Sequence, residues 1–194
     1  MFNYLKLSLE LKKKYTKKIQ ETTFKFKEKE KVRVYKKSNY TKAAVMCILA
    51  PSDKEKSLSI ILTLRSKSLK DHSGQISFPG GKFKDTDKNS IHCALRETEE
   101  EIGLNSNKIN ILGKMCQYAT GSGFVIQPIV GYIEKKTNLI IDANEVEQAI
   151  YFPIKHLFKD SNVVTSFYTD KYNNKLAYYD FKWNNFRIWG TTAM

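Results

Sequence analysis

Residues 92–104, HCALRETEEEIGL, place four glutamates within five positions of a chain whose formal net charge is +13. Apolar residues recur here at helical spacing, which predicts a helix over residues 89–102 with Asn89 or Ser90 as its N-cap. On a helical wheel one side carries Ile91, Leu95, Thr98 and Ile102. A neighbouring arc, about 100° wide, carries Glu97, Glu100 and Glu101. The predicted helix therefore packs with one side and presents three carboxylates from another.

Three clustered carboxylates need a physical explanation. Glu97 and Glu101 repel each other as an i, i+4 pair, and both lie near a helix C-terminus, where the helix dipole disfavours anions. A solvated acidic face is one interpretation. The other is a bound cation, because carboxylate oxygens are hard ligands suited to Mg²⁺ or Mn²⁺.

The segment before the helix favours the cation. Residues 78–81 read FPGG, and glycines let a backbone approach a ligand closely. A lone PGG would be only a turn. A glycine-rich bend followed by clustered acids is typical of a metal–phosphate site.

Length and composition indicate one α/β-sized domain with an appended arm. The chain has 194 residues, 41% of them hydrophobic. It contains no apolar run long enough for a transmembrane helix. Its three cysteines show neither a disulfide nor a zinc spacing, so we expect reduced thiols in a cytoplasmic protein. The start lacks the apolar core of a secretory signal, although its basic, acid-poor character also fits an organellar transit peptide.

Basic charge is concentrated at the start of the chain. Residues 1–40 hold thirteen Lys or Arg and four Glu. A helix over residues 5–20 is predicted there, and its charge fits either a solvated surface or contact with an anionic partner. The sequence shows no nucleic-acid-binding motif, so we expect no nucleic-acid partner.

Further elements follow from short apolar runs with strand periodicity. Strands are predicted over residues 43–50, 58–64, 109–113, 125–133 and 145–153, with a short helix from residue 154 and strand or turn segments over 176–183 and 186–190. One long helix among many strands predicts a mixed sheet rather than a regular βαβ repeat.

These motifs resemble a known family. Residues 81–104 are similar to the Nudix box, and its second half matches from Arg96 to Leu104 with Thr98 at an apolar position. Asp87 stands where the general motif has glutamate, with eight rather than seven residues before Arg96. Both departures are usual in the coenzyme A diphosphatase-like branch. That branch also carries an upstream motif, seen here as Arg65, Ser66, Lys70, Gly74 and FPGG. The resemblance covers roughly residues 42–193.

The resemblance implies an α/β (α+β) fold: a Nudix-type α/β/α sandwich with a mixed β-sheet and a loop-helix-loop catalytic motif. It divides the chain into a basic N-terminal helix and arm, residues 1–40, and a Nudix domain, residues 41–194. Related proteins usually continue beyond IWGTTAM into a closing helix. Apolar surface left uncovered there could favour a homodimer.

The resemblance also implies site residues. Glu97, Glu100 and Arg96 would be catalytic, with Glu97 or Glu100 acting on the attacking water. Mg²⁺ or Mn²⁺ would be bound by Glu97, Glu100, Glu101 and the Gly81 carbonyl. Arg65, Lys70, His72 and Gly80 would contact substrate. A basic surface loop is the alternative for the cations, and His72 could instead cap a turn. Glu145 and Asp87 are further candidates, the first for metal or base and the second for pairing with Arg96.

The implied function is metal-dependent hydrolysis of coenzyme A, or an acyl derivative, to 4′-phosphopantetheine and adenosine 3′,5′-bisphosphate. Two alternatives stay open. One is hydrolysis of another nucleotide such as ADP-ribose, NADH or a nucleoside triphosphate. The other is a non-catalytic nucleotide-sensing domain, against which the intact glutamate set argues.

Overall fold

The computed structural model describes residues 40–52, 58–158, 163–169 and 175–193. Its strands are β1 (Thr41–Pro51), β2 (Leu58–Arg65), β3 (Ile76–Ser77), β4 (Gly80–Lys82), β5 (Asn110–Lys114), β6 (Tyr118–Ala119), β7 (Phe124–Tyr132), β8 (Val146–Pro153), β9 (Val163–Thr169), β10 (Lys175–Trp183) and β11 (Phe186–Trp189). The α-helix α1 spans Ser90–Ile102, and short 3₁₀ helices span Ser106–Lys108, Ile154–Phe158 and Gly190–Thr192. The predicted helix over residues 5–20 lies outside the described residues.

A mixed sheet is built around β1. This strand runs parallel to β7 from Thr41 to Leu49 and antiparallel to β2 through its last four residues. Parallel neighbours need a crossover connection, and the chain between β1 and β7 supplies one that contains α1. Strand β5 pairs with the far side of β7, and β8 pairs with the far side of β2.

The FPGG segment lies where β1 and β2 diverge. The first half of β1 pairs with β4, while β3 pairs with the end of β2. Between β3 and β4, the Pro79 carbonyl accepts a hydrogen bond from the Met46 amide at 2.8 Å. The glycines at 80 and 81 are therefore inserted between two splayed strands, beside the face on which α1 packs.

The large sheet buries a core on each face. Helix α1 covers one face through Cys93, Ala94 and Ile102, against residues such as Met46 and Ile48. On the opposite face Leu62, Ile76, Ile150 and Phe152 pack against Phe181 and Ile188 of a second sheet, ordered β11-β10-β9. In the described residues this small sheet forms the layer opposite α1.

Sequence patterns predicted most of these elements. The helix begins as expected, because the Asn89 side chain accepts hydrogen bonds from the amides of Ile91 and His92 and satisfies two free donors. It ends at Gly103, whose φ of 63° is the left-handed conformation that glycine adopts most readily. The mixed α+β class is confirmed, as are the predicted strands. The separate three-stranded sheet was not predicted.

Candidate active site

Two glutamates of α1 are turned inward. Glu97 and Glu101 lie one helical turn apart and are only 9% and 2% exposed. Glutamates are almost never so deeply buried unless they are paired. Their burial excludes the solvated acidic face for these two residues. It places their carboxylates beside β4, which lies where β1 and β2 diverge.

The Glu101 carboxylate is held by the backbone of the glycine pair. Its Oε2 accepts a hydrogen bond from the Gly80 amide at 3.2 Å. Burial raises the pKa of Glu101 to about 8, and the Glu97 and Glu145 carboxylates add to the rise, while the Gly80 hydrogen bond and the Arg65 charge oppose it. Burial is therefore the main reason that the neutral form of Glu101 is favoured. The observed contact of Gly80 is with Glu101, and its role toward substrate stays a prediction.

The Glu97 carboxylate occupies the space beside Gly81. A Cβ added at Gly81 would overlap the carboxylate carbon and both oxygens of Glu97. The Gly81 carbonyl, a predicted metal ligand, lies 3.7 Å from the Cys93 Sγ. Glycine is required at 81 because the helix carboxylate approaches the backbone itself.

Arg96 joins the helix to the loop before it. Its Nε and Nη2 donate to the two Asp87 carboxylate oxygens at 2.9 and 2.7 Å, a bidentate pair. The same guanidinium donates through Nη1 to Glu97 at 2.6 Å and to Glu100 at 2.8 Å. The Arg96 hydrogen bond, supported by the Lys84 amide and the His92 ring, holds the pKa of Asp87 well below its usual range. Arg96 thereby orients the helix carboxylates.

Glu100 is more exposed than Glu97 and Glu101, although it shares the Arg96 Nη1 donor with Glu97. Its carboxylate is 45% exposed and lies 3.0 Å from the Lys84 Nζ, besides its contact with Arg96. Lys84 was not among the predicted site residues, and no local signal could have found it, because it lies sixteen residues before Glu100. Glu100 is thus paired with two cations, Lys84 and Arg96.

The donor set fits a divalent metal ion only in part as it stands. In the described part of the chain, no three acidic, histidine or cysteine side chains already enclose a cation position. Glu97 and Glu101 nevertheless supply buried hard oxygen donors, the ligand type that Mg²⁺ and Mn²⁺ prefer. The residues present therefore fit Mg²⁺ or Mn²⁺, with Glu100 as a further carboxylate that shares the Arg96 Nη1 donor with Glu97.

The predicted substrate residues divide into two groups. Arg65 lies at the end of β2 close enough to Glu101 to lower its pKa, and its Nε is buried without a hydrogen-bond partner among the described residues. Lys70 and His72 are exposed on the loop over residues 66–75. His72 has a φ of 56°, and its ring lies 3.1 Å from Gln75 Oε1. The structure thus brings Arg65, but not this exposed pair, into the buried cluster.

Comparison with known proteins identifies the family. The sequence model described as NUDIX domain matches residues 40–169. A Yersinia enterocolitica protein, Nudix hydrolase NudL, is 35% identical over 138 residues, covering 70% of this chain and 69% of that protein. The chain belongs to the Nudix family. It is accordingly a Nudix hydrolase of a nucleoside diphosphate derivative, and the inward glutamates of α1 are the glutamates of its Nudix box.

Two further relatives extend this comparison. Nudix hydrolase 15 of Arabidopsis thaliana, named as mitochondrial, is 33% identical over 158 residues, which cover 78% of this chain but 54% of that protein. Among solved structures, a MutT/nudix family protein from Enterococcus faecalis superposes with a TM-score of 0.52 at 14% identity, covering 87% of this chain and 57% of that one. The structural likeness supports the Nudix fold alone.

Membrane insertion through a helix has no support in the described residues. None of their helices is both long and apolar enough to span a bilayer. The predictions of a cytoplasmic location, a homodimer and a domain boundary after residue 40 stay predictions.

Proposed function

We propose that this Nudix hydrolase cleaves the diphosphate of coenzyme A or an acyl-coenzyme A, releasing 4′-phosphopantetheine and adenosine 3′,5′-bisphosphate. The observation that carries the assignment of a diphosphate substrate is the buried Arg65 Nε, which has no hydrogen-bond partner among the described residues and lies beside the carboxylate cluster. Buried donors are nearly always satisfied, so an unpaired one points to a missing acceptor. A phosphate oxygen of the substrate supplies that acceptor.

The loop after Arg65 would bind the third phosphate of coenzyme A, the ribose 3′-phosphate. Lys70 and His72 are exposed there, and the left-handed backbone of His72 is uncommon for a residue other than glycine. Strained conformations of this kind cluster at functional sites. We assign the ribose 3′-phosphate to these side chains, since coenzyme A carries this group and ADP-ribose and NADH do not.

The carboxylates would hold the metal ions. Glu97, Glu101 and the Gly81 carbonyl would provide donors, with Glu100 as a third carboxylate and Glu145 as a further candidate. Bound Mg²⁺ or Mn²⁺ supplies charge neutralisation for the diphosphate, which otherwise repels a nucleophile. Arg96 keeps Glu97 and Glu100 in position through its hydrogen bonds.

The reaction is a displacement at phosphorus by water. Glu97 or Glu100 accepts the proton of the attacking water, a new P–O bond forms, and the bridging P–O bond breaks. Arg65 stabilises negative charge on a phosphate oxygen through the transition state. The two products each leave with one phosphate of the original diphosphate.

A substrate panel tests this proposal. Coenzyme A, ADP-ribose, NADH and a nucleoside triphosphate are offered at equal concentration with Mg²⁺ or Mn²⁺, and products are separated by chromatography. We expect the highest kcat/KM for coenzyme A. Lys70→Met and His72→Ala should each lower kcat/KM for coenzyme A by a larger factor than kcat/KM for ADP-ribose. A higher kcat/KM for another nucleotide would overturn the substrate assignment. No turnover by a folded protein would favour a nucleotide sensor.

A further inference from the structure

The segment before β8 is bonded to the C-terminal end of α1. The last carbonyls of a helix have no partners within the helix. Here the Ile102 carbonyl accepts from the Ile140 amide, and the Glu101 carbonyl accepts from the Asp142 amide, both at 3.0 Å. Glu101 therefore contributes its carboxylate to the active site and its carbonyl to the turn that follows.

Asp142 begins a turn over residues 142–146 and accepts hydrogen bonds from the residues that follow it. Its carbonyl accepts from the amides of Glu145 and Val146 at 3.0 and 2.8 Å. Its side-chain Oδ1 accepts from the Asn144 amide and from the Asn144 side chain, each at 2.9 Å. A side chain that bonds the backbone two residues onward is an Asx-turn, and it fixes the path of the chain without help from packing.

The other side of the turn is attached to the substrate loop. The Glu145 carbonyl accepts from the Ser66 amide at 2.9 Å, and the Asn144 carbonyl accepts from the Ser68 hydroxyl at 3.3 Å. Ser66 directly follows Arg65. The turn is thus held between the end of the metal-binding helix and the start of the loop that carries the cationic residues.

Glu145 lies within this turn, so the turn determines where its side chain begins. Glu145 is exposed, and its neighbour Val146 pairs with Arg65 across β8 and β2. Its backbone therefore lies between the Arg65 end of β2 and the Asp142 amide, which is bonded to the Glu101 carbonyl. An exposed side chain has little packing to position it, so its place depends on this backbone, which the Asp142 side chain helps to fix through its bonds to Asn144.

We propose that Asp142 is a positioning residue, whose side-chain acceptor holds the turn that presents Glu145 to the Glu97 and Glu101 carboxylates. This proposal rests on the metal-binding role assigned to those carboxylates. It requires an acceptor oxygen at position 142 but no negative charge, because both bonds to Oδ1 come from neutral N–H donors. Asparagine should therefore replace aspartate, and alanine should not.

The test measures Mn²⁺ binding to the metal-free full-length protein by isothermal titration calorimetry, together with kcat and KM for the best nucleotide. Loss of a group that orients a metal ligand typically costs about tenfold in affinity. We expect Asp142→Ala and Glu145→Gln each to weaken Mn²⁺ binding about tenfold and to lower kcat more than they change KM. Asp142→Asn should stay close to the wild-type protein, and Asp142→Ser should fall between, providing a second variant if the alanine variant fails to fold.

The double variant Asp142→Ala/Glu145→Gln decides how Asp142 acts. If Asp142 works through Glu145, the double variant binds Mn²⁺ no more weakly than Glu145→Gln alone, because coupled sites are not additive. Three results would each overturn the proposal. The losses of Mn²⁺ affinity could multiply in the double variant, or Asp142→Ala or Glu145→Gln could leave the affinity unchanged. Alternatively, Asp142→Asn could bind Mn²⁺ as weakly as Asp142→Ala. Mn²⁺ affinity does not depend on substrate, so a failed coenzyme A assignment would be recognised separately by the substrate panel.

Discussion

The Glu97 carboxylate of α1 lies against the Cα of Gly81, in the space that a Cβ would fill at any other residue. This contact joins the two halves of the Nudix box. The helix supplies the Glu97 carboxylate, and β4 supplies Gly81, which has no side chain to block it. The active site therefore depends on a close approach that only glycine allows.

Alanine at the two neighbouring glycines should have different effects. Gly81→Ala meets the movable end of Glu97, so we expect folding to be retained and kcat to fall at least about tenfold as the carboxylate is displaced. Gly80→Ala meets the Ala44 carbonyl and Val45 backbone at a φ of 150°, so we expect a loss of thermal stability. Melting temperature and kcat of both variants check this contrast. A fully active Gly81→Ala enzyme would contradict it.

Asp87 should make stability depend on acid pH. Its pKa is held below the usual range in the folded protein by Arg96, whereas the unfolded value is about 3.9. The contribution is therefore present above about pH 4 and is lost as the pH falls toward the folded value. Asp87→Asn should flatten the acid limb of a urea-midpoint profile, whereas Asp87→Ala, which removes the two charge-assisted bonds to Arg96, should cost about 1.5–3 kcal/mol. An acid limb unchanged in Asp87→Asn would refute this assignment.

Glu101 should give the opposite pH dependence in metal-free protein. Its folded pKa of about 8 lies above the unfolded value of about 4.3, so the folded state binds the extra proton between these limits. Stability should then fall as the pH rises from 5 to 8 in the presence of a chelator. Glu101→Gln should remove this slope, as measured by urea unfolding. Parallel profiles for the two proteins would show that the buried carboxyl is already ionised.

Lys84 should compete with the metal ion for Glu100. Their ion pair is half-exposed, and such pairs contribute up to about 1 kcal/mol. We expect Lys84→Met to lower the half-saturating Mg²⁺ concentration about two- to fivefold, because Glu100 no longer has to leave a cation. Lys88→Met, exposed on the same loop, is the matched control. Equal Mg²⁺ requirements in both variants would show that Glu100 is not a metal ligand.

Sequence patterns predicted the helix ends and the strands, because neighbouring residues determine both. Asn89 and Gly103 bound α1 because one caps through its side chain and the other adopts a positive φ, and both signals are visible in the sequence. Alternating apolar residues likewise predicted β1, β2 and β7. The Nudix-like spacing predicted Glu97 and Glu101 as metal ligands from the sequence alone.

Contacts across long sequence separations could not be predicted. The Lys84–Glu100 pair, the Asp142 turn on the end of α1 and the packing of Phe181 against Phe152 join residues that no periodicity relates. The sequence placed Glu97, Glu100 and Glu101 on one arc of the helix but could not predict how deeply each is buried. In the structure Glu97 and Glu101 are buried, whereas Glu100 is exposed and paired with Lys84 and Arg96.

The most direct test of the metal-binding carboxylates compares Glu97→Gln with Glu99→Gln in Mg²⁺-dependent nucleotide hydrolysis. Both residues lie on α1, but Glu97 is buried beside Gly81, whereas Glu99 is exposed and accepts from the Asn105 side chain at 3.3 Å. We predict that Glu97→Gln lowers kcat at least about a hundredfold and that Glu99→Gln stays within about twofold of wild type. Equal activity in the two variants would contradict the assignment of the inward carboxylates as the metal site.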